Sequence, residues 1–214
     1  THVSAGLVSN QGEIRLKREI MSRERAGGNP LKERIVGLVT GMVREAHESG
    51  VRRLAGIGAG APGIVDSDEG VLVIAGNIPE LFGFSLKKVL ESETDLPVQV
   101  ENDVNAQAVG ELVFGVARGV KNFVLFSIGT DLGGGIVVDG ALHRGAHNIA
   151  AEFGHMTLDL EGEQCVCGGV GCAREYVSGE GIAEKARKEL ARDSALMKSP
   201  GGRVEDLTAE KIFT

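Results

Sequence analysis

The feature that most constrains the local fold of this chain is a cluster of cysteines. All three cysteines of the protein lie within eight residues, in the pattern Cys165-x-Cys167-Gly168-x-x-Gly171-Cys172, and His155 precedes them. Three thiolates and one imidazole can bind a tetrahedral zinc ion, and four such ligands form a closed structural site. Glycines between the second and third cysteine allow the sharp turn that brings the sulfurs to one ion.

A disulfide and three unrelated buried thiols are the alternatives to a metal site. Cys165 and Cys167 are too close in sequence for an easy bridge, and no segment resembling a signal peptide points to an oxidising compartment. The spacing therefore favours a structural zinc (Zn²⁺) site whose ligands are His155, Cys165, Cys167 and Cys172, with both alternatives left open.

The composition is that of a folded, acidic protein. Of the 214 residues, 42% are apolar, which is enough for a hydrophobic core. The net charge of −7 argues against nucleic acid or an anionic membrane as a main partner. No apolar run approaches the length of a membrane span. We therefore expect a cytoplasmic protein whose ligands are small molecules.

Strands and helices alternate along the chain, which indicates an α/β fold. Apolar residues recur at helical spacing over residues 30–49. The other predicted helices are 85–93, 105–115 and 181–195, and the predicted strands are 2–8, 13–19, 54–59, 97–100, 123–128 and 135–138. A loop is expected at 194–203. A boundary near Gly119 divides a first lobe (residues 1–119) from a second (residues 120–214).

Polar residues follow one of the short apolar strands. Glu101-Asn102-Asp103 stands where the strand 97–100 ends, and strand ends of this kind face the ligand crevice of open α/β sheets. Asp103 can accept the proton of a substrate hydroxyl that attacks phosphorus, and Asn102 can bond neighbouring hydroxyls. The alternative is that Asp103 only caps the next helix.

Glycines are concentrated between two apolar strands, in Gly129-Thr130-Asp131-Leu132-Gly133-Gly134-Gly135. Backbone N–H groups at glycines can approach phosphate oxygens closely, and Thr130 can add a hydroxyl contact. A hairpin turn would need only one or two glycines. The glycine count favours phosphate binding, although no Walker motif follows. Gly60-Ala61-Pro62-Gly63 and Gly76-Asn77 have little side-chain bulk and could admit a small polar ligand, but tight turns are the default interpretation of both.

Five motifs occur in one order along the chain, and together they resemble the ROK family of repressors and sugar kinases. The motifs are Gly-Ala-Pro-Gly-Ile-Val-Asp, Glu-Asn-Asp-Val-Asn-Ala, Gly-Thr-x-x-Gly-Gly-Gly-Ile, Glu-x-Gly-His and Cys-x-Cys-Gly-x-x-Gly-Cys. The resemblance implies a two-lobed actin-like ATPase (ribonuclease H-like) fold, truncated at both ends. It also implies transfer of the ATP γ-phosphoryl group to a sugar hydroxyl, usually the 6-hydroxyl of glucose, with Mg²⁺.

The resemblance assigns roles to individual residues. Asp103 matches the catalytic base, and His155 with the three cysteines matches the zinc ligands. Further residues match sugar contacts (Asn77, Asn102, Glu152 and His155, with Glu175 as a substitute one position along) or the second phosphate loop (Gly129, Thr130, Gly133 and Gly134). His155 is thereby expected to contact sugar with one ring nitrogen and zinc with the other.

The sequence departs from the family pattern at three points. The Asp-x-Gly-Gly-Thr loop for ATP phosphates, expected before Thr1, is absent from the sequence. Asp131 stands where a glycine is usual, and its charge either repels ATP or recruits magnesium. Arg174 stands where a glutamate usually binds sugar hydroxyls, which leaves the preferred sugar open and would suit an acidic sugar.

The same resemblance leaves other functions open. A sugar-binding transcriptional regulator would require a DNA-binding domain ahead of Thr1, and an N-acetylmannosamine or N-acetylglucosamine kinase would share the zinc motif and Asp103. The family also implies a homo-oligomer, either a dimer or a tetramer. Without the first phosphate loop, we expect the chain as written to bind ATP weakly.

Overall fold

The chain forms two units in the computed structural model, which describes residues 2–22, 30–76, 78–192 and 208–210. Unit 1 comprises Thr1–Lys121 and Gly145–Asn148, and unit 2 comprises Asn122–Arg144 and Ile149–Thr214. The main division after Lys121 lies close to the boundary predicted at residues 119 and 120.

Unit 1 begins with the predicted hairpin. Strands β1 (His2–Val8) and β2 (Ile14–Met21) pair antiparallel. The Ser9 hydroxyl accepts hydrogen bonds from the backbone N–H groups of Gln11 and Glu13, which fixes the turn.

The first helix, α1 (Leu31–Glu48), is also confirmed. It begins directly after Pro30, whose ring suits a helix start, and ends where Ser49 N–H bonds to the Glu45 carbonyl. Leu31, Met42 and Ala46 are buried on one face, as the apolar spacing predicts.

The central pairing of unit 1 is parallel. Strand β3 (Ile57–Ala61) pairs with β7 (Val98–Asn102), and helix α2 (Leu86–Thr94) precedes β7. The strand predicted at 54–59 is therefore placed three residues too early. Pro97 has no N–H group to extend the ladder beyond Ile57.

Three short strands were not predicted. Strands β4 (Ile64–Asp66), β5 (Val71–Ile74) and β6 (Phe84–Ser85) form an antiparallel sheet, and a 3₁₀ helix spans Pro79–Leu81. Helix α3 (Asp103–Val113) follows β7 directly, two residues earlier than predicted. The main buried cluster of unit 1 contains Leu31, Ala61, Val65, Leu72, Ala75, Leu81, Leu86, Leu90, Val98 and Val100.

Unit 2 contains an antiparallel sheet of β8 (Phe123–Ile128), β9 (Leu132–Val138) and β10 (Ala141–Leu142), in the order β10-β9-β8. Asp139 and Gly140 connect the last two strands with φ values of 52° and 78°. Positive φ at both positions is typical of the type I′ turn, for which Asp-Gly is a preferred sequence.

The helices of unit 2 follow the cysteine motif. They are α4 (Arg174–Val177) and α5 (Gly179–Arg192), whereas a 3₁₀ helix, Phe153–His155, lies before the motif. The Ser178 hydroxyl accepts a hydrogen bond from Gly181 N–H and stabilises the start of α5. The predicted helix end at 195 and the predicted loop at 194–203 lie outside the described residues. None of the described helices is long and apolar enough to cross a membrane.

Candidate active site and metal cluster

The residue that caps helix α3 is Asn102. Its Oδ1 accepts hydrogen bonds from the backbone N–H groups of Val104 at 2.9 Å and Asn105 at 3.0 Å. Its Nδ2 donates to the Gly63 carbonyl at 3.0 Å. Asn102 is thus held on both sides, and a second Nδ2 hydrogen is left for the predicted sugar contact.

Asp103 is the first residue of α3 rather than its cap. The side chain is half-buried, and Oδ1 accepts one hydrogen bond, from Val104 N–H at 3.0 Å. The interpretation of Asp103 as only a helix cap is therefore wrong, because Asn102 performs that role. The positive end of the helix dipole also favours a carboxylate here.

A buried carboxylate supports this corner. Glu101 is 8% exposed, and its Oε1 accepts hydrogen bonds from Asn102 N–H at 2.9 Å and from Asn105 Nδ2 at 3.1 Å. Glu101 and Asn105 were not among the predicted site residues, although both belong to the quoted motif. The available signal was their place in that motif, in which Glu101 and Asn105 flank the predicted Asn102 and Asp103.

The glycine-rich stretch is divided between a turn and a strand. Gly129, Thr130 and Asp131 form the turn, whereas Gly133 and Gly134 lie within β9 opposite Ser127 and Phe126. The expectation of a loop up to residue 135 is thus wrong for its second half, because those residues pair with β8.

Gly134 is required by packing. A Cβ atom there would overlap the Phe153 ring and lie 2.6 Å from the Ala151 carbonyl oxygen, and one on Gly154 would overlap the Leu132 carbonyl. Phe153 in turn packs on Phe126 at a centroid separation of 4.8 Å. The segment bearing Glu152 and His155 is therefore packed directly on β9, a contact that sequence reasoning missed.

Glu152 immediately precedes the 3₁₀ helix of this segment. Desolvation and the nearby charge of Asp131 raise the pKa of its carboxyl, although His155 acts in the opposite direction. Its predicted sugar contact stays a prediction.

Four side chains of unit 2 can hold a metal ion. The ligand atoms of His155, Cys165, Cys167 and Cys172 all lie within 4.8 Å of one another. Cys165 Sγ lies 3.7 Å from His155 Nδ1, and Cys167 Sγ lies 3.7 Å from Cys172 Sγ. A tetrahedron with Zn–S bonds of about 2.3 Å has sulfur–sulfur edges of about 3.8 Å, so the cluster fits such an ion.

The three cysteines are free thiols rather than disulfides. Gly168 and Gly171 have φ values of 90° and 60°, which confirms that glycines form the sharp turns of the motif. Burial and the two neighbouring thiols raise the pKa of Cys172 to about 12. A bound cation would replace that proton and require the thiolate.

His155 presents its two ring nitrogens differently. Nδ1 faces Cys165 within the cluster. Among the described residues, Nε2 has no hydrogen-bond partner. The ring can therefore contact a metal and a second ligand at once, as the dual-role prediction requires.

The two unusual residues of the sequence form an ion pair. Arg174 Nε donates to Asp131 Oδ1 at 2.7 Å, and Nη1 donates to Glu175 Oε1 at 3.4 Å. Burial alone would lower the pKa of Arg174, but its hydrogen bond to Asp131 and the nearby carboxylates raise it. Sequence reasoning treated the two residues separately, although their opposite charges were a signal for pairing.

The remaining site residues are distributed between the units. Asn102 and Asp103 belong to unit 1, and the predicted phosphate and metal ligands, together with Glu152, His155 and Glu175, belong to unit 2. Asn77 lies outside the described residues.

Comparison with known proteins decides the family. The model of the ROK family matches residues 1–214. The chain belongs to the ROK family.

Its relatives in the ROK family include both enzymes and regulators. A glucokinase of Halalkalibacterium halodurans is 39% identical over 187 residues, which cover 87% of this chain and 56% of the relative. A xylose repressor of Caldicellulosiruptor bescii is 31% identical over 185 residues, covering 85% of this chain and 46% of the relative. The chain thus spans about half the length of these curated relatives.

A solved ROK structure shows the same fold. The glucokinase from Streptomyces griseus, crystallised with glucose and AMPPNP, has a TM-score of 0.74 and 33% identity, covering 99% of this chain and 66% of its own. ROK sugar kinases have the actin-like ATPase fold, which confirms the predicted fold class.

Proposed function

We propose that this chain is part of an ATP-dependent hexose kinase that converts glucose to glucose 6-phosphate. The observation that carries the proposal is the division of roles at the end of β7. Asn102 caps α3, so the half-buried carboxylate of Asp103 is available as a general base. Glucokinase relatives support the substrate class.

The proposed chemistry depends mainly on positioning and charge. Asp103 would accept the proton of the attacking sugar hydroxyl, and Asn102, Glu152, His155 and Glu175 would orient the sugar. Gly129 and Thr130 would bind phosphate through the turn, with Gly133 and Gly134 behind it in β9. Mg²⁺ bound with ATP would neutralise phosphate charge.

The pairing of Arg174 removes the argument for an acidic sugar. Its guanidinium already bonds to Asp131 and to Glu175, and its side chain is 11% exposed. An acidic sugar would have to compete with these two carboxylates, so Arg174 gives no reason to prefer one. Glucose therefore remains the proposed substrate.

We further propose that the ion in the His/Cys cluster is zinc and that its role is structural. The four side chains could fill all four positions of a tetrahedral ion, which is typical of structural rather than catalytic zinc. The ion would fix the 153–155 segment through His155 and thereby hold Glu152 in place.

Replacement of Asp103 tests the proposal. ATP-dependent phosphorylation of a hexose panel is measured for the full-length protein, for Asp103→Asn and for Asp95→Asn. We expect kcat to fall by about 10² to 10⁴ in Asp103→Asn, the usual contribution of a general base, with sugar affinity nearly unchanged. Asp95 is exposed and follows helix α2 in the left-handed backbone conformation, in which Asn is equally suitable. Asp95→Asn therefore provides a matched control.

A sugar-binding regulator is the second candidate, because a xylose repressor is among the relatives. Sugar binding by calorimetry without turnover of any hexose would favour it. Unchanged kcat in Asp103→Asn would remove the base assignment, and phosphorylation of an N-acetylated hexosamine in place of glucose would correct the substrate.

A further inference from the structure

The turn at residues 129–131 is held from outside by the segment that follows the cysteine motif. Gly179 N–H donates to the Gly129 carbonyl at 2.8 Å, and Glu180 N–H donates to the Thr130 carbonyl at 3.2 Å. Arg174 Nε donates to the Asp131 side chain at 2.7 Å. Each of the three turn residues is therefore bonded to α4 or α5.

Asp131 connects this external support to the strand. Its Oδ1 accepts the hydrogen bond from Arg174 and also one from Leu132 N–H, at 2.8 Å, where β9 begins. A single carboxylate oxygen thus joins the guanidinium to the backbone of the turn. Because the Arg174 side chain is only 11% exposed, competition from water is limited.

The polarity of the turn makes its charge important. Within the described residues, the backbone N–H groups of Thr130 and Asp131 have no hydrogen-bond acceptor, as a phosphate-binding turn requires. The Asp131 carboxylate, 56% exposed, lies on the same turn and would repel phosphate if its charge were unpaired.

We propose that Arg174 is a positioning residue for nucleotide binding. Through Asp131 it holds the 129–131 turn in a phosphate-binding shape, and its positive charge offsets the negative charge that Asp131 would otherwise present to ATP. The proposal rests on the ATP-dependent function proposed above. The two departures from the family pattern, Asp131 and Arg174, would then be coupled, because the charge of one offsets the charge of the other.

A double-mutant cycle tests the pairing. The KM values for ATP and for sugar are measured for the full-length wild type, Arg174→Gln, Asp131→Asn and the double variant. We expect the KM for ATP to rise about tenfold in Arg174→Gln, as an unpaired carboxylate beside phosphate would cause. In the Asp131→Asn background, Arg174→Gln should change the KM for ATP by at most about threefold, because the effects of coupled residues are not additive.

Two controls separate positioning from folding. Arg187→Gln removes an arginine that pairs with Glu180 and Glu184 on α5, and it should leave the KM for ATP unchanged. Arg174→Lys keeps the charge and should recover part of the ATP affinity. A merely structural role would lower the melting temperature and raise the KM for ATP by the same factor whether residue 131 is Asp or Asn, and that result would overturn the proposal.

The outcomes also distinguish this proposal from the function on which it rests. If the wild type is active and Arg174→Gln has the same KM for ATP, the proposed role of the pairing is overturned and the kinase function stands. Absence of turnover with every hexose would overturn the kinase function. In that case, the affinity of the four proteins for Mg·ATP is compared by calorimetry. Weaker binding in Arg174→Gln alone supports the proposed role of the pairing, whereas equal affinities, or no binding by any of the four, overturn it.

Discussion

The sharpest structural prediction concerns Gly134, whose missing side chain leaves the space that Phe153 fills. In Gly134→Ala, the new Cβ would overlap the Phe153 ring and lie 2.6 Å from the Ala151 carbonyl oxygen, well below the roughly 3.5 Å of an ordinary contact. Phe153 cannot move away without losing its contact with Phe126, the residue that pairs with Gly134 across the sheet.

The expected cost follows from this crowding. Inserting a methyl group into a packed site typically costs about 1 to 3 kcal/mol. For a chain of this size, that corresponds to a melting temperature lower by roughly 2 to 12 °C, measured by calorimetry on the metal-loaded protein. Because Phe153 belongs to the segment bearing Glu152 and His155, sugar affinity should fall as well.

Gly129→Ala is the matched control within the same glycine-rich stretch. A Cβ atom on Gly129 would meet nothing within 4 Å, and its backbone needs no positive φ. The melting temperature of this variant should stay within about 1 °C of wild type, since an open surface site costs little. Equal melting temperatures for Gly134→Ala and Gly129→Ala would refute the packing argument, whatever their effects on ATP.

Two other predictions address the metal cluster and the support of Asn102. His155→Ala should lose the bound metal and unfold more easily, because metal binding to such a site contributes directly to folding, whereas His143→Ala, outside the cluster, should keep the metal. Elemental analysis of both variants checks this, and metal retained in His155→Ala would contradict the ligand assignment. Gly63→Ala should destabilise unit 1 by more than about 1 kcal/mol, because φ is +87° and the added Cβ would overlap the Ile74 carbonyl. Urea unfolding measures this cost, and Gly58→Ala, at a position with open space, should be nearly neutral.

The fold could be predicted where the sequence pattern is strong. Helix α1 follows from its apolar spacing, and strand β8 from a mostly apolar run that has the predicted bounds. The sheet of β4, β5 and β6 could not be found in this way. Its strands have only two to four residues, too few for an alternating pattern to be recognised.

Residue chemistry was enough to predict the ligands of the candidate metal site, but not the contacts that support the rest of the candidate site. Ligand type and spacing were enough to predict that His155 and the three cysteines lie together, because thiolates and imidazole at short spacing are typical ligands of structural zinc. The pair formed by Asp131 and Arg174 spans 43 positions. Opposite charge was its one signal, and charge alone does not specify which of many distant charged residues will pair. The capping of α3 could not be assigned either, because Asn and Asp are equally suitable caps and stand side by side.

The hydrogen bonds of Asn102 give this position a structural reason to stay asparagine, whether or not the side chain contacts sugar. At this position the side chain must accept two backbone N–H groups and donate to a carbonyl, which among the natural residues of this length only asparagine can do. A variant library selected for folding alone, with no sugar present, would therefore still keep Asn102. The cap does not need the carboxylate of Asp103. Selection for folding should therefore tolerate other residues at position 103, whereas selection for turnover should keep the aspartate.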